Sequence, residues 1–140
     1  MEDLSLHILD IVENSLRANA TTVAIRLKEN KVSDTLVLEV IDDGEGMDEE
    51  TVRRCLDPFY TSKAGKRVGL GLPFLAQSAQ EAEGSLEVQS AIGEGTRITA
   101  LFRLSHIDRK PLGNLEETLQ TLKATHPEVH FSFDHLTTDG

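Results

Sequence analysis

The hydrophobic period of this chain changes at Asn19-Ala20-Thr21-Thr22, and that change limits what it can fold into. Before it, Leu4, Ile8, Ile11, Val12 and Leu16 recur at helical spacing as one apolar stripe, which predicts a helix from Asp3 to Asn19. After it, Val23 to Leu27 and Leu36 to Ile41 read as strands, with Asn30 to Asp34 as the turn of a hairpin. A lone hairpin buries too little to be stable, so an amphipathic helix beside one predicts a layered packing.

The remaining segments continue that pattern. Asp48 to Leu56 predicts a short helix capped by Asp48, and Asp57 to Val68 a loop. Leu70 to Glu83 predicts a helix stopped at Gly84 by a left-handed cap. Ser85 to Ser90 and Thr96 to Leu104 predict two strands. Pro111 and Gly113 punctuate the start of a last segment, in which Leu115, Leu119 and Leu122 give a short amphipathic helix and Val129 to Phe133 an edge strand. This order predicts an α+β chain: a two-layer sandwich whose mixed, mostly antiparallel sheet carries its helices on one face. The expected division is a main body over 1–105, with a helix–strand extension over 106–140 packed on the same domain.

Acidic residues number 24 against 14 basic ones, a formal charge of -10, which argues against nucleic acid and anionic membranes as partners. No apolar run approaches the length of a bilayer, and Met1-Glu2-Asp3 lacks the basic stretch of a signal peptide. Cys55, the single cysteine, cannot form an internal disulfide, so the expected location is cytoplasmic. Any anionic ligand must then be held by local devices: magnesium, aligned backbone N–H groups or a few placed lysines.

Three places offer such devices. Asp3, His7, Asp10, Asn14 and Arg17 line one polar stripe of the first helix, which faces either solvent or a site. The Asn14 amide oxygen is a hard, neutral ligand suited to magnesium, and Asp10 one turn earlier could accept a proton. Asp42-Asp43-Gly44-Glu45-Gly46 sets carboxylates beside glycines at a strand end, which reads as an acidic turn or as an adenine-binding one. Gly69-Leu70-Gly71-Leu72 opens a helix whose free N–H groups favour phosphate. Neither a GxxxxGK[ST] loop nor a GxGxxG fingerprint after the first strand is present.

In sequence order, HILDIVENSLRANAT (His7 to Thr21), DDGEGM (Asp42 to Met47), DPFYTSK (Asp57 to Lys63), GLGL (Gly69 to Leu72) and GEGT (Gly93 to Thr96) resemble the GHKL superfamily of ATPase domains, which share the Bergerat ATP-binding fold. The resemblance spans roughly Leu4 to Leu104 and is to a small, free-standing, histidine kinase-like member. It implies ATP and Mg2+ as cofactors, with Asn14 as the magnesium ligand. Asp42 would bind the adenine amine, with Gly44, Gly46 and Met47 shaping the purine pocket and Thr96 supporting it. Phe59 would belong to the phenylalanine box, Lys63 would reach the terminal phosphate, and Gly69, Leu70, Gly71 and Leu72 would form the phosphate-binding segment. Asp10 matches the position of a catalytic base, with a shorter side chain than the glutamate of gyrase-like members. Only Ala64 to Val68 fills the place of the usual long lid, which implies weak ATP affinity.

The function implied is Mg-ATP binding by a regulatory ATPase, or by an ATP-dependent kinase acting on histidine or serine of a separate partner protein. The alternative is a non-catalytic ATP-sensing module that recruits a partner. The C-terminal segment would extend the sheet edge or form a homodimer interface.

Overall fold

The computed structural model describes residues 4–55, 71–106 and 110–138. Helix α1 (Leu4–Arg17) leads into strands β1 (Thr22–Asn30) and β2 (Thr35–Asp42), then helices α2 (Glu49–Arg54) and α3 (Gly71–Glu81). Strands β3 (Ser85–Ala91) and β4 (Gly95–Arg103) follow, then a 3-10 turn at Leu104–His106, helix α4 (Lys110–Thr125) and strand β5 (His130–Thr138). The five strands form one sheet in the order β3-β4-β2-β1-β5. Every pairing is antiparallel except that of β5 with β1, which is parallel.

Alternation along each strand sorts the sheet into two faces. Val23, Ile25 and Leu27 of β1, Leu36, Leu38 and Val40 of β2, and Ile98, Ala100 and Phe102 of β4 are buried on one face. Ile8, Ile11 and Val12 of α1, Leu75 and Ala79 of α3, and Leu119 and Leu122 of α4 complete that core. The helices thus cover one side of the sheet, the α+β two-layer sandwich expected from the order of elements.

The opposite face is mixed, with Lys28, Glu39, Arg97 and Arg103 beside Val37, Ile41 and Leu101. On it the buried Glu39 of central strand β2 accepts a hydrogen bond from Arg97 and lies 3.4 Å from the Lys28 Nζ. Burial alone would raise the Glu39 carboxyl, but the Arg97 and Lys28 contacts outweigh it and hold it below its ordinary value.

Helix ends explain the sharp turns. At the end of α1 the Ala20 N–H reaches the Ser15 carbonyl (3.1 Å) and the Asn19 N–H that of Leu16 (3.0 Å), with Asn19 left-handed at φ 60. Helix α3 ends in the same way, but its left-handed residue is Glu83 (φ 56), not Gly84 as expected. Gly84 instead supplies the N–H that closes the motif on Ala79 at 2.7 Å. Asp48 caps α2, accepting from the Thr51 N–H at 2.7 Å.

The last segment also differs from the expectation. Pro111 and Gly113 lie inside α4, which begins at Lys110; proline is tolerated there because the first-turn N–H groups have no intrahelical partner. The edge strand runs on to Thr138, because its far end is tied to β1. The buried Glu29 carboxylate meets His135 Nε2 at 2.7 Å and accepts from the Thr137 hydroxyl at 3.1 Å.

Candidate functional site

The end of β2 carries two adjacent carboxylates, and strand alternation gives them different work. Asp42 points to the helix-covered face and is 8% exposed, whereas Asp43 is exposed. Asp43 accepts from the Thr21 N–H (2.7 Å), the Thr21 hydroxyl (2.6 Å) and the Thr22 N–H (2.9 Å), clamping the α1–β1 turn. The Thr21 hydroxyl, followed by the Thr22 N–H, draws the Asp43 carboxyl down to about 2.

Asp42 is held from the other side. One carboxylate oxygen accepts from the Gly44 N–H at 2.9 Å and the other from the Ser15 hydroxyl at 2.6 Å. Ser15 occupies the buried side of α1, where a hydroxyl needs a partner, and Asp42 is that partner. Asn14 therefore stands on the helix residue next to the one that fixes Asp42. It is half-buried, and its amide oxygen accepts from the Arg17 guanidinium at 3.3 Å.

A polar row continues across the sheet. Register pairs Asp42 with Thr96 on β4, and Thr96 with Ser90 on β3. The Ser90 hydroxyl is 2.8 Å from each of three groups: the Met47 N–H, the Gly95 carbonyl and the Thr96 hydroxyl. The carbonyl can only accept, so Ser90 donates to it and receives from Met47 and Thr96. Ser90 thereby locks the residue that ends the glycine loop onto the β3–β4 hairpin.

Two glycines allow the backbones to meet there. Gly46 (φ 75) would put a Cβ 2.0 Å from the Ala91 carbonyl oxygen, and Gly95 (φ 92) would put one 2.1 Å from that of Asp42. The close approach at Gly46 is thus to the hairpin backbone. The Gly93 N–H also donates to the Glu45 carbonyl at 2.8 Å, and the Glu45 N–H to that of Ala18, also at 2.8 Å.

Of the residues singled out in the sequence, Asn14, Asp42, Gly44, Gly46, Met47 and Thr96 come together around the end of β2. Phe59, Lys63, Gly69 and Leu70 lie outside the described residues, as do the side chains of Asp10 and Leu72; Gly71 begins α3. Sequence reasoning missed Ser15 and Ser90. Both had a signal, since each is a hydroxyl at a position whose periodicity points into the core. An open cleft of about 330 Å³ reaches Asp42 and Thr96, but Ile41, Gln89 and Arg97 also line it from the helix-free face. It therefore lies on the other side of the sheet from Asn14.

Residues 2–106 match the family described as histidine kinase-, DNA gyrase B- and HSP90-like ATPases. The chain belongs to this family. Sequence relatives within this histidine kinase-like ATPase family include a putative sensor protein of Shewanella frigidimarina, 30% identical, matching 72% of this chain and 16% of the relative. The sensor protein kinase FleS of Pseudomonas aeruginosa is 34% identical over 79% of this chain and 27% of its own length. The match thus spans less than a third of either relative. The chain has the fold of the Aquifex aeolicus MutL ATPase domain complexed with ADP (TM-score 0.66, 16% identity, 96% of this chain and 60% of that one). The N-terminal domain of a DNA repair protein also shares it (TM-score 0.69, 18% identity, 100% and 50%). As a histidine kinase-like ATPase domain it is an ATP-binding protein of the GHKL superfamily, and α4 and β5 lie beyond the matched region.

Proposed function

We propose that this domain binds Mg-ATP with the adenine amine on Asp42, and that it serves as a regulatory ATPase or an ATP-dependent kinase acting on a separate partner protein. The observation that carries the reading is the Ser15–Asp42 hydrogen bond of 2.6 Å. It fixes a buried acceptor beside the helix residue best suited to magnesium. A carboxylate with both oxygens already oriented keeps lone pairs for one more donor, and a purine amine is a donor of that kind. ADP in the fold-related MutL structure supports a nucleotide as the ligand.

The Asn14 amide oxygen fits a magnesium ion that retains water and phosphate oxygens as its other ligands. Bound there, the ion would supply positive charge against the triphosphate, which a chain of formal charge -10 otherwise repels. Arg17 donates to the same oxygen, so its guanidinium and the ion would compete for it. Asp10 remains the proposed base. The relatives named as sensor proteins and kinases support a signalling role.

Calorimetric titration with ATP, ADP and magnesium tests the site. We expect Asn14→Ala to abolish the magnesium dependence of ATP binding, and Asp42→Asn to weaken ATP at least about tenfold, or 1.4 kcal/mol, with little effect on inorganic triphosphate. Two variants that fold and bind like the parent would refute the assignment. Labelled ATP then separates turnover from sensing: binding without hydrolysis or transfer leaves an ATP-sensing module.

A further inference from the structure

We propose that two copies of this chain associate by antiparallel pairing of β5 with β5 about a two-fold axis normal to the sheet, joining their two five-stranded sheets into one. The proposal does not rest on the nucleotide reading.

Strand β5 is an edge, and among the described residues no strand pairs with its outer side. The His130 N–H donates inward to the Thr21 carbonyl at 2.8 Å, so alternation turns the N–H and C=O groups of Phe131, Phe133, His135 and Thr137 outward. Edge strands are normally protected by lysine, proline, a bulge or brevity. This one is nine residues long, HFSFDHLTT, with no lysine, proline or glycine. Its one carboxylate, Asp134, stands in register with Arg26 of β1, and both line a cleft of about 300 Å³ with Lys28 and Leu136. Arg26 thus stands beside the one carboxylate that would guard the edge.

Charge and overlap together choose the register. A two-fold axis through Asp134 would set Asp134 against its own copy in a close, non-hydrogen-bonded pair, which like charges oppose. An axis through His135 would carry Phe131 past the end of the opposing strand at Thr138, and one through Ser132 would pair only His130 to Asp134 and leave the rest of the strand open. An axis through Phe133 avoids all three. Phe133 then meets Phe133 of the second copy in a hydrogen-bonded pair, Phe131 meets His135, and Ser132 meets Asp134. His130 lies on the diagonal from Asp134 and directly opposite Leu136, a side chain 56% exposed in the single chain. In this register the strand is its own complement: aromatic meets aromatic, and the carboxylate meets a hydroxyl and an imidazole. The occupant is for that reason a second copy. The axis also leaves both helical layers on the same side of the joined sheet.

Sedimentation equilibrium on the full chain tests this through one position. Ser132→Asp places a carboxylate opposite Asp134 twice by symmetry and is expected to weaken the dimer roughly tenfold; Ser132→Lys places a cation there and is expected to strengthen it by a similar factor. Both effects should shrink in high salt. A parent chain that stays monomeric to about 1 mM overturns the proposal, as do folded variants that both shift association in one direction or not at all. If one variant fails to fold, the sign of the other against the parent still decides.

Discussion

Ser15 and Asp42 are 27 positions apart, and their 2.6 Å hydrogen bond is the contact on which the candidate site turns. A hydrogen bond to a buried carboxylate is worth about 2 kcal/mol, and losing its donor leaves charge without compensation. Ser15→Ala should therefore lower stability by about 2 kcal/mol in chemical denaturation and weaken ATP binding in the same protein. Unchanged values in both measurements would show that Gly44 alone can orient the carboxylate. Asp42 was readable from the glycines that follow it, because a tight turn at a strand end is a local property. The helical period placed the Ser15 hydroxyl toward the core, but its partner Asp42 is fixed only once the helix lies on the sheet.

Elements are joined at this site by side chains as well as by backbone hydrogen bonds. Asp43 clamps the α1–β1 turn through Thr21 and Thr22, and Ser90 clamps the glycine loop to the β3–β4 hairpin. The Asp43 clamp makes a pH prediction with a definite sign. Its carboxyl falls from an ordinary value of 3.8 to about 2 in the folded chain. The clamp's contribution is thus complete above the unfolded value and is lost as pH drops through the folded one. Between those limits, thermal melts of the parent should decline more steeply with acid than those of Asp43→Asn, whose side chain does not titrate there. Parallel declines would remove Asp43 from the acid response. Helix α4 shows the limit of local punctuation at this scale. Pro111 and Gly113 read as a boundary, yet the helix starts before them, because Leu119 and Leu122 bury its later turns in the core.

At the scale of the molecule, α4 and β5 are part of the same packed body, although the family match ends at residue 106. Leu119, Leu122 and Phe131 are buried, and His135 and Thr137 serve the buried Glu29. A chain ending at His106 would expose these contacts along the length of β1. We expect it to lose at least about 4 kcal/mol of stability, since each fully buried large side chain contributes about 2 kcal/mol, and to melt without a sharp transition. A truncated chain as stable as the parent would make residues 106–140 a separable extension and remove them from the core.

Sequence by itself determined the kind and order of the elements, because hydrophobic period and turn chemistry act over a few neighbouring residues. The stripe of Leu4 to Leu16, the alternation around Ile25 and Val40, and the cap at Asp48 are all of that sort. It also marked the strand end at Asp42, through the glycines that follow it. Only the tertiary structure decided which groups Ser15, Asp43 and Ser90 hold, and that the last strand joins β1 in parallel. Those outcomes depend on pairings between distant segments, where the energy of one contact exists only after the others have closed.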